Sequence, residues 1–451
     1  MTAEKAYGDV EGRGVESRGV KDRGIRNRDV EEDTKREVEE RSLRAWLLGF
    51  VLLPYVSYAG LLIILSMFVM GLSERGKRIL WLCWRLGFGW LTIGLLISAS
   101  FAFDKGDGFL QLTNFLPFFV LFGVLVTEPG AVRAPFRRLE QIARWMLLTS
   151  VPMSVLAIVE FVIKFDAIAP LVQSLPLPQS LLDFIYVPDF GHRAHSMFSH
   201  PNGLAAYAIV IFGLGLGLLI KALEERVLLR SWGEITAVGL IVITIFCTGS
   251  RNGVLIALVL SAIAMVAARR HKWVLFAGLA GGGAIVAAVL SLGIGGRSLS
   301  WAIFTNDPRV GVWTLAVEMI QQRPWLGWGL SGLRRLYVPG SIYDYDAINH
   351  AHNIWLMLAA ETGIPMMVAF SIVIGTIFYK GTYAYLKGEL SSANRAILLS
   401  YLLAFTACLL FHVFDIALFD SRPNAIAWAS LAGVYILSDA ALKPRYAEKK
   451  T

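Results

Sequence analysis

The stretch NHAHNIWLMLAAETG, residues 349–363, sets His350, His352 and Asn353 directly before a run apolar enough to enter a bilayer, with Glu361 further along it. A second group lies in GHRAHSMFSHPNGL, residues 191–204, which holds His192, Arg193, His195 and His200. Arg251 follows within TGSRNG (248–253), and Arg309 within DPRVGVW (307–313). Imidazole titrates near physiological pH and can accept a proton from a hydroxyl. A planar guanidinium grips phosphate oxygens through two parallel hydrogen bonds. These residue types therefore suit an alcohol being deprotonated beside a diphosphate. The competing reading pairs the arginines with Asp189, Asp307 or Asp420, or lets them snorkel towards headgroups. It leaves His352 a simple interfacial hydrogen bond. Three arginines in three separate segments beside histidine clusters favour the chemical reading.

The remaining polar residues of these stretches are given lesser parts. Residues two apart on a helix point to different sides, so His350 is read as structural; His195 is counted as supporting the site. A metal on His350 and His352 needs a third ligand; Asp344 and Asp346 are near in sequence, but no spacing rule supports them, and no metal is expected. Glu361 lies roughly 13 Å along a continuous helix from His352 and faces nearly the opposite way. A carboxylate at that depth must find protein or a watery cavity, so Glu361 supports the site instead of reacting in it. Gly363 and Pro365 can kink the helix there. His412 and Asp415, at i and i+3, can share a face, for the site or for helix–helix bonding.

What positions these residues is a membrane. Of 451 residues, 56% are hydrophobic and 17% charged, with a mean hydropathy of +0.58, whereas soluble domains carry about 25% charged residues. Apolar blocks recur at 46–70, 86–103, 109–126, 143–163, 202–220, 234–248, 252–268, 273–293, 353–379, 396–419 and 423–441. They are long enough for helices crossing a core about 30 Å thick. No alternating ten-residue pattern argues for a barrel. The three cysteines are scattered through apolar blocks and form neither a disulfide framework nor a metal motif. The net charge of +8 arises outside residues 1–44, which hold 11 basic and 12 acidic residues. The excess sits in short loops, where it sets orientation and does not call for nucleic acid.

The connectors alternate between a Lys/Arg-rich set (71–85, 127–144, 221–230, 269–272, 380–395 and the end KPRYAEKK) and a second set that includes 164–201 and 294–352. The positive-inside rule puts the first set in the cytoplasm and both long loops outside. The charged start carries no cleavable signal, and its degenerate pentapeptide array from Arg13 to Glu32 reads as a solvated tail. Keeping that tail inside requires 46–70 to fold as two segments around Pro54–Gly60, which gives 12 membrane segments; a single crossing gives 11. The chain thus divides into a charged cytoplasmic tail (1–44), an N-terminal bundle (45–293), an outer loop (294–352), C-terminal helices (353–441) and a basic cytoplasmic end (442–451). In the outer loop, Val310, Trp313, Val317 and Ile320 recur at helical spacing, as in an amphipathic surface helix. Asp307 or Asn306 would cap it, and the Pro-Trp-Leu-Gly-Trp-Gly run would end it and anchor its rings at the interface.

Taken in order, GHRAHSMFSHPNGLAAY, TGSRNG, DPRVGVWTLAVEMIQQRPWLGWG and HNIWLMLAAETG resemble the O-antigen ligase and polymerase superfamily, bacterial membrane glycosyltransferases. The resemblance spans roughly residues 186 to 370. It implies an all-α polytopic fold of GT-C type in the bacterial inner membrane, with the active site on the periplasmic face. It also implies an inverting, metal-independent and cofactor-free transfer of glycan from undecaprenyl diphosphate to an acceptor hydroxyl, on a lipid-A core or a growing glycan. The family's essential histidine, which precedes Asn-x-x-Leu, corresponds to His352, followed by Asn353 and Leu356; Asn353, grouped with the substrate-binding residues, can also cap the span it precedes and orient its neighbour. Its arginines correspond to Arg251 and Arg309, and less closely to Arg193. Some relatives with a similar DPRxxVW pattern point instead to a bicarbonate-type anion carrier. Polar residues gathered at one face, with no repeat between the halves, favour surface chemistry over translocation. A non-catalytic scaffold using the charged tail is the third class.

Overall fold

The computed structural model describes residues 37–272, 307–342 and 347–443, with Thr34 and isolated positions between 278 and 294. The tail array, most of the 273–293 block, the loop stretches 295–306 and 343–346 (with Asn306, Asp344 and Asp346) and the basic end from 444 lie outside the described residues.

Among the described residues there are helices and no β-strand. A helix satisfies its own backbone in hydrocarbon, which an open sheet edge cannot do. Seven of these helices are long and apolar enough to cross a membrane, so the chain is an all-α, multi-pass membrane protein. The difference from the 12 expected segments has two sources. The 273–293 block is largely undescribed. Three further apolar helices, Phe88–Ser100, Trp232–Cys247 and Arg251–Ala267, are shorter than the seven and rise only about 20–25 Å.

Helix α1 (37–52) ends in a turn at 53–56, and α2 (Ser57–Leu86) then runs for 30 residues. The basic stretch 71–85, read from sequence as a loop, is the last half of α2. Its lysine, arginines and leucines are good helix formers, and Arg75 is fixed by Glu128 at 2.9 Å. Helix α3 (Phe88–Ser100) follows Gly87, and α4 (Leu116–Val126) comes after two short helical turns. Helices α5 (Pro135–Thr149) and α6 (Val151–Ile163) form one span broken only at Ser150. Helices α7 (Pro201–Glu224), α8 (Trp232–Cys247) and α9 (Arg251–Ala267) complete the first bundle. After α9 come α10 (Pro308–Gln322), within the 294–352 segment, and then α11 (Ile354–Thr362), α12 (Ile364–Lys387), α13 (Ser392–Phe411) and α14 (Ser421–Leu442).

The centre of the molecule is the pair α7 and α13. The apolar window of α7 is 83% buried, against 17% for the peripheral α2 and α12. Close approach at small residues makes this possible: a Cβ at Gly213 would sit 2.6 Å from the Ala404 nitrogen. One end of α7 and the opposite terminus of α13 therefore lie side by side, and the functional residues gather there.

The 353–379 block is not one helix. It breaks at Gly363 (φ 88°) into α11 and α12, and the Pro-Trp-Leu-Gly-Trp-Gly turn docks into the break. The Trp328 and Gly329 N–H groups donate to the Ala360 and Glu361 carbonyls at 3.0 and 2.9 Å, while Ile364 N–H donates to Pro324 O at 2.8 Å. Backbone groups orphaned by the interrupted helix are thereby satisfied. Gly327 has φ +64° and lies so close to the Glu361 backbone that any Cβ would collide with it. The run is thus only partly an interfacial anchor. Trp325 is exposed, but Trp328 turns inward and donates Nε1–H to Met319 O at 2.9 Å.

Helix α10 is capped as expected, the Asp307 carboxylate accepting from Arg309 N–H at 3.0 Å. Its buried stripe differs from the one read from sequence. Val312, Ala316 and Met319 face the protein, whereas Val310 and Val317 are exposed. Helix α10 packs on α11, and the smaller Val–Ala face allows the closer approach.

Candidate active site

Asn353 caps α11: its Oδ1 accepts from Leu356 N–H at 3.0 Å and its Nδ2 donates to Val413 O at 3.0 Å. Ile354 N–H donates to His412 O at 3.0 Å. These bonds fasten the 347–353 loop to the turn after α13. They also place His352 at φ +52°, a left-handed conformation uncommon for a non-glycine residue and frequent at functional sites.

The His352 ring meets Asp415, Nδ1 to Oδ1 at 3.1 Å. A carboxylate only accepts, so Nδ1 carries the proton of the neutral ring and the basic lone pair is at Nε2. Asp415 is itself held on several sides. Its Oδ1 also accepts from Ile416 N–H at 2.9 Å, and Oδ2 accepts from Asn202 Nδ2 at 2.6 Å. Arg309 Nη2 stands 3.9 Å from Oδ2. Asn202 Oδ1 accepts from Arg193 Nη2 at 2.6 Å, and Arg193 Nε donates to Thr248 O at 2.8 Å. A continuous chain Arg193–Asn202–Asp415–His352 thus links segments more than 200 residues apart in sequence. Burial alone would raise the Asp415 pKa. The hydrogen bond from His352 and the nearby Arg309 guanidinium outweigh it and hold the carboxyl below its ordinary range.

His350 stacks on Phe419 and accepts the His352 N–H at Nδ1, at 3.3 Å. Burial, followed by the charges of His352 and Arg309, lowers its pKa to about 4, so it is neutral at physiological pH. His200 caps α7, accepting Asn202 N–H at 3.0 Å, and lies within electrostatic reach of Arg193, Asp415, His352 and Arg309.

The residues singled out by sequence fall into three groups. His352, Arg309 and Arg193 meet around Asp415, although Arg193 is buried (7% exposed) and its guanidinium braces Asn202 and Thr248. Arg251 opens α9; the next residue, Asn252, reaches Phe411 O at 3.3 Å, which sets this helix start beside the same turn. Asn353 commits both ends of its amide to the cap. His195 and Glu361 lie in other networks. Both His195 ring nitrogens face carbonyl oxygens, of Phe198 at 2.8 Å and Phe184 at 2.9 Å, and Glu160 accepts the His195 backbone N–H. Glu361 Oε1 accepts from Leu333 N–H at 3.3 Å, beneath the turn that fills the α11–α12 break.

Sequence reading missed Asn202 and the role of Asp415. Helix α13 ends at Phe411, so the helical i, i+3 relation between His412 and Asp415 does not apply, and the carboxylate turns to His352. The acid expected for the arginines is also different: Asp420 is engaged by Arg422, and Asp307 by a backbone N–H. The usable signal was an aspartate at the end of an apolar span.

Asp415 is also the third ligand that a metal on His350 and His352 lacked. The ligand atoms of the three lie within 4.8 Å of one another, the one such group among the described residues. The carboxylate is already bound by His352, Ile416 and Asn202, with a guanidinium beside it, which fits a hydrogen-bonded dyad better than a cation site. Next to the dyad, an apolar cavity of about 450 Å³ is lined by Ile354, Trp355, His412, Leu418 and Trp428 among others.

Fold and site together define a multi-pass membrane protein with a recessed His–Asp–Arg constellation at one end of its bundle. Residues 236–371 match the family model described as O-antigen ligase, which supports membership of the O-antigen ligase and polymerase superfamily and a function of that type. The match includes Arg251, Arg309, His352, Asn353 and Glu361; Arg193, Asn202 and Asp415 lie outside it. No curated protein matches the chain.

Proposed function

We propose that the protein transfers a glycan from undecaprenyl diphosphate to an acceptor hydroxyl at the periplasmic face of a bacterial inner membrane, with both termini in the cytoplasm. The observation that carries this reading is the His352–Asp415 dyad beside Arg309. The acceptor hydroxyl gives its proton to His352 Nε2 while its oxygen attacks the anomeric carbon. The bond from that carbon to the diphosphate oxygen breaks on the opposite side, inverting the centre, and the diphosphate leaves with an added negative charge. Arg309 and Arg251 stabilise that charge without a divalent ion. Arg193 acts at one remove, holding Asn202 and hence Asp415. The apolar cavity beside the dyad suits the start of a lipid chain, and the GT-C-type architecture implied by the resemblance belongs to the same proposal.

The acceptor is a lipid-A core or another growing glycan. The test is transfer in proteoliposomes holding a labelled lipid-diphosphate-linked glycan and, in separate arms, lipid A core or unlabelled polymer. Label moving to the core marks a ligase, and lengthening of the polymer marks a polymerase. Absence of transfer in both arms from well-inserted protein would sink the reading.

A further inference from the structure

A second cavity lies well away from the dyad. It is lined on α7 by Leu214 and on α13 by Tyr401, roughly 15–18 Å along their helices from Asn202 and Phe411. The space between its walls is about 680 Å³ including its open mouth. Its walls are almost wholly apolar, with Trp46 and Phe50 of α1 facing Met146 and Ile436 across the space.

The mouth is polar and mostly satisfied. Arg138 Nη2 pairs with Glu40 at 2.6 Å, Arg133 with Glu39 at 3.1 Å and Arg75 with Glu128 at 2.9 Å. After these pairs are made, two lining residues still hold a buried polar atom with no partner among the described residues: Trp46 Nε1 and Arg138 Nη1. Trp46 is only 2% exposed. An indole N–H left unbonded at that depth is costly. Both unpaired atoms are donors, and one belongs to a cation. Arg75, which grips the lining residue Glu128, adds unpaired Nε and Nη1 donors beside them.

We infer that this cavity binds an anionic phospholipid from the leaflet at that end of the bundle. One acyl chain fills the apolar slot, and the ester or phosphate oxygens accept from Trp46 and Arg138. A phospholipid matches both halves of the site: an apolar body, and a head that offers acceptors and negative charge to donors only. The chain's own N-terminal tail does not, because it is charged throughout and has few large apolar side chains. The bound chain lies between α1 and α14 and so holds α1 on the bundle.

The full-length protein, purified in detergent and exposed to equal amounts of phosphatidylglycerol and phosphatidylethanolamine, is examined by native mass spectrometry and by thermal unfolding. One phosphatidylglycerol is expected to be retained, and added phosphatidylglycerol to raise the unfolding temperature. Trp46→Phe keeps the ring but removes the donor, and should weaken retention roughly fivefold, the scale of one hydrogen bond. Ala429→Leu intrudes on the slot and should abolish retention; Trp46→Phe gives the answer if that variant elutes aggregated. Equal retention of the two lipids, retention unchanged in both variants, or preferential capture of a polyprenyl phosphate added as competitor would each overturn the assignment.

Discussion

Two histidine-rich stretches, His192–His200 and His350–His352, look alike in the sequence: each sets imidazoles and an arginine or asparagine before an apolar helix. The structure gives them opposite work. In the first, both ring nitrogens of His195 lie against main-chain carbonyl oxygens, at 2.8 and 2.9 Å, so neither edge of the ring is turned to a substrate. Glu160 accepts from Lys164 Nζ at 2.7 Å and Ser196 N–H at 2.6 Å, and Lys164 also donates to Arg193 O at 2.9 Å. That cluster is a buried fastening between the 164–201 segment and α6. In the second, His352 has an acid on Nδ1 and its basic nitrogen on the other edge. What separates fastening from chemistry is the acceptor each ring nitrogen meets, and residue type does not specify that.

The largest test of this contrast is on activity. His352→Ala should lower transfer in proteoliposomes by roughly 10²–10⁴-fold, the usual contribution of a positioned base, with insertion and gel-filtration behaviour unchanged. His195→Ala should lower stability while each inserted molecule keeps most of its activity. Loss of chemistry from His195→Ala at unchanged stability would merge the two clusters into one site. Next in size, Glu160→Gln breaks a buried ion pair and should cost roughly 3–5 kcal/mol of unfolding free energy. The double variant Glu160→Gln/Lys164→Met should recover part of that, because no buried charge is left alone. A double variant as unstable as the single one would show that the pair is not the fastening.

The third test lies within the active cluster. Asp415→Asn keeps the shape but removes the charge that orients the His352 ring, and should cost roughly tenfold to a hundredfold in transfer, less than loss of the base itself. Chelation by EDTA should leave transfer by the wild-type protein unchanged. A loss restored by one divalent metal would instead make His350, His352 and Asp415 a metal site.

Much of this was legible beforehand, for identifiable reasons. Apolar blocks report bilayer crossings because hydrocarbon tolerates few charges, and Asp307 and Asn353 announced helix starts because their side chains accept from the following N–H groups. His352 and Arg309 stood out as polar groups at the boundary of apolar spans. The partners were harder. Asp415 and Asn202 are brought together only by the packing of α7 along α13, a long-range contact with no local signature. The break at Gly363 was visible, but not the turn that fills it, because that turn comes from more than 30 residues upstream. Continuing α2 through its basic stretch also defeated the expectation that charge marks a loop.

The smallest expected effect concerns the two neighbouring histidines of the active loop. His350 is held near pKa 4, first by burial and then by His352 and Arg309, with Asp415 opposing and His200 adding slightly, against an ordinary value of 6.5. Between those values the unfolded chain binds the extra proton and the folded chain does not, so stability falls as pH drops from about 6.5 towards 4. His350→Gln keeps an acceptor for the His352 N–H but does not titrate. The variant's unfolding temperature should therefore decline less between pH 7 and pH 5 than that of the wild type, by about one or two degrees. An identical decline in both proteins would place the acid sensitivity elsewhere. The neutral His350 would then no longer distinguish this loop from the charge-fastened cluster around Glu160.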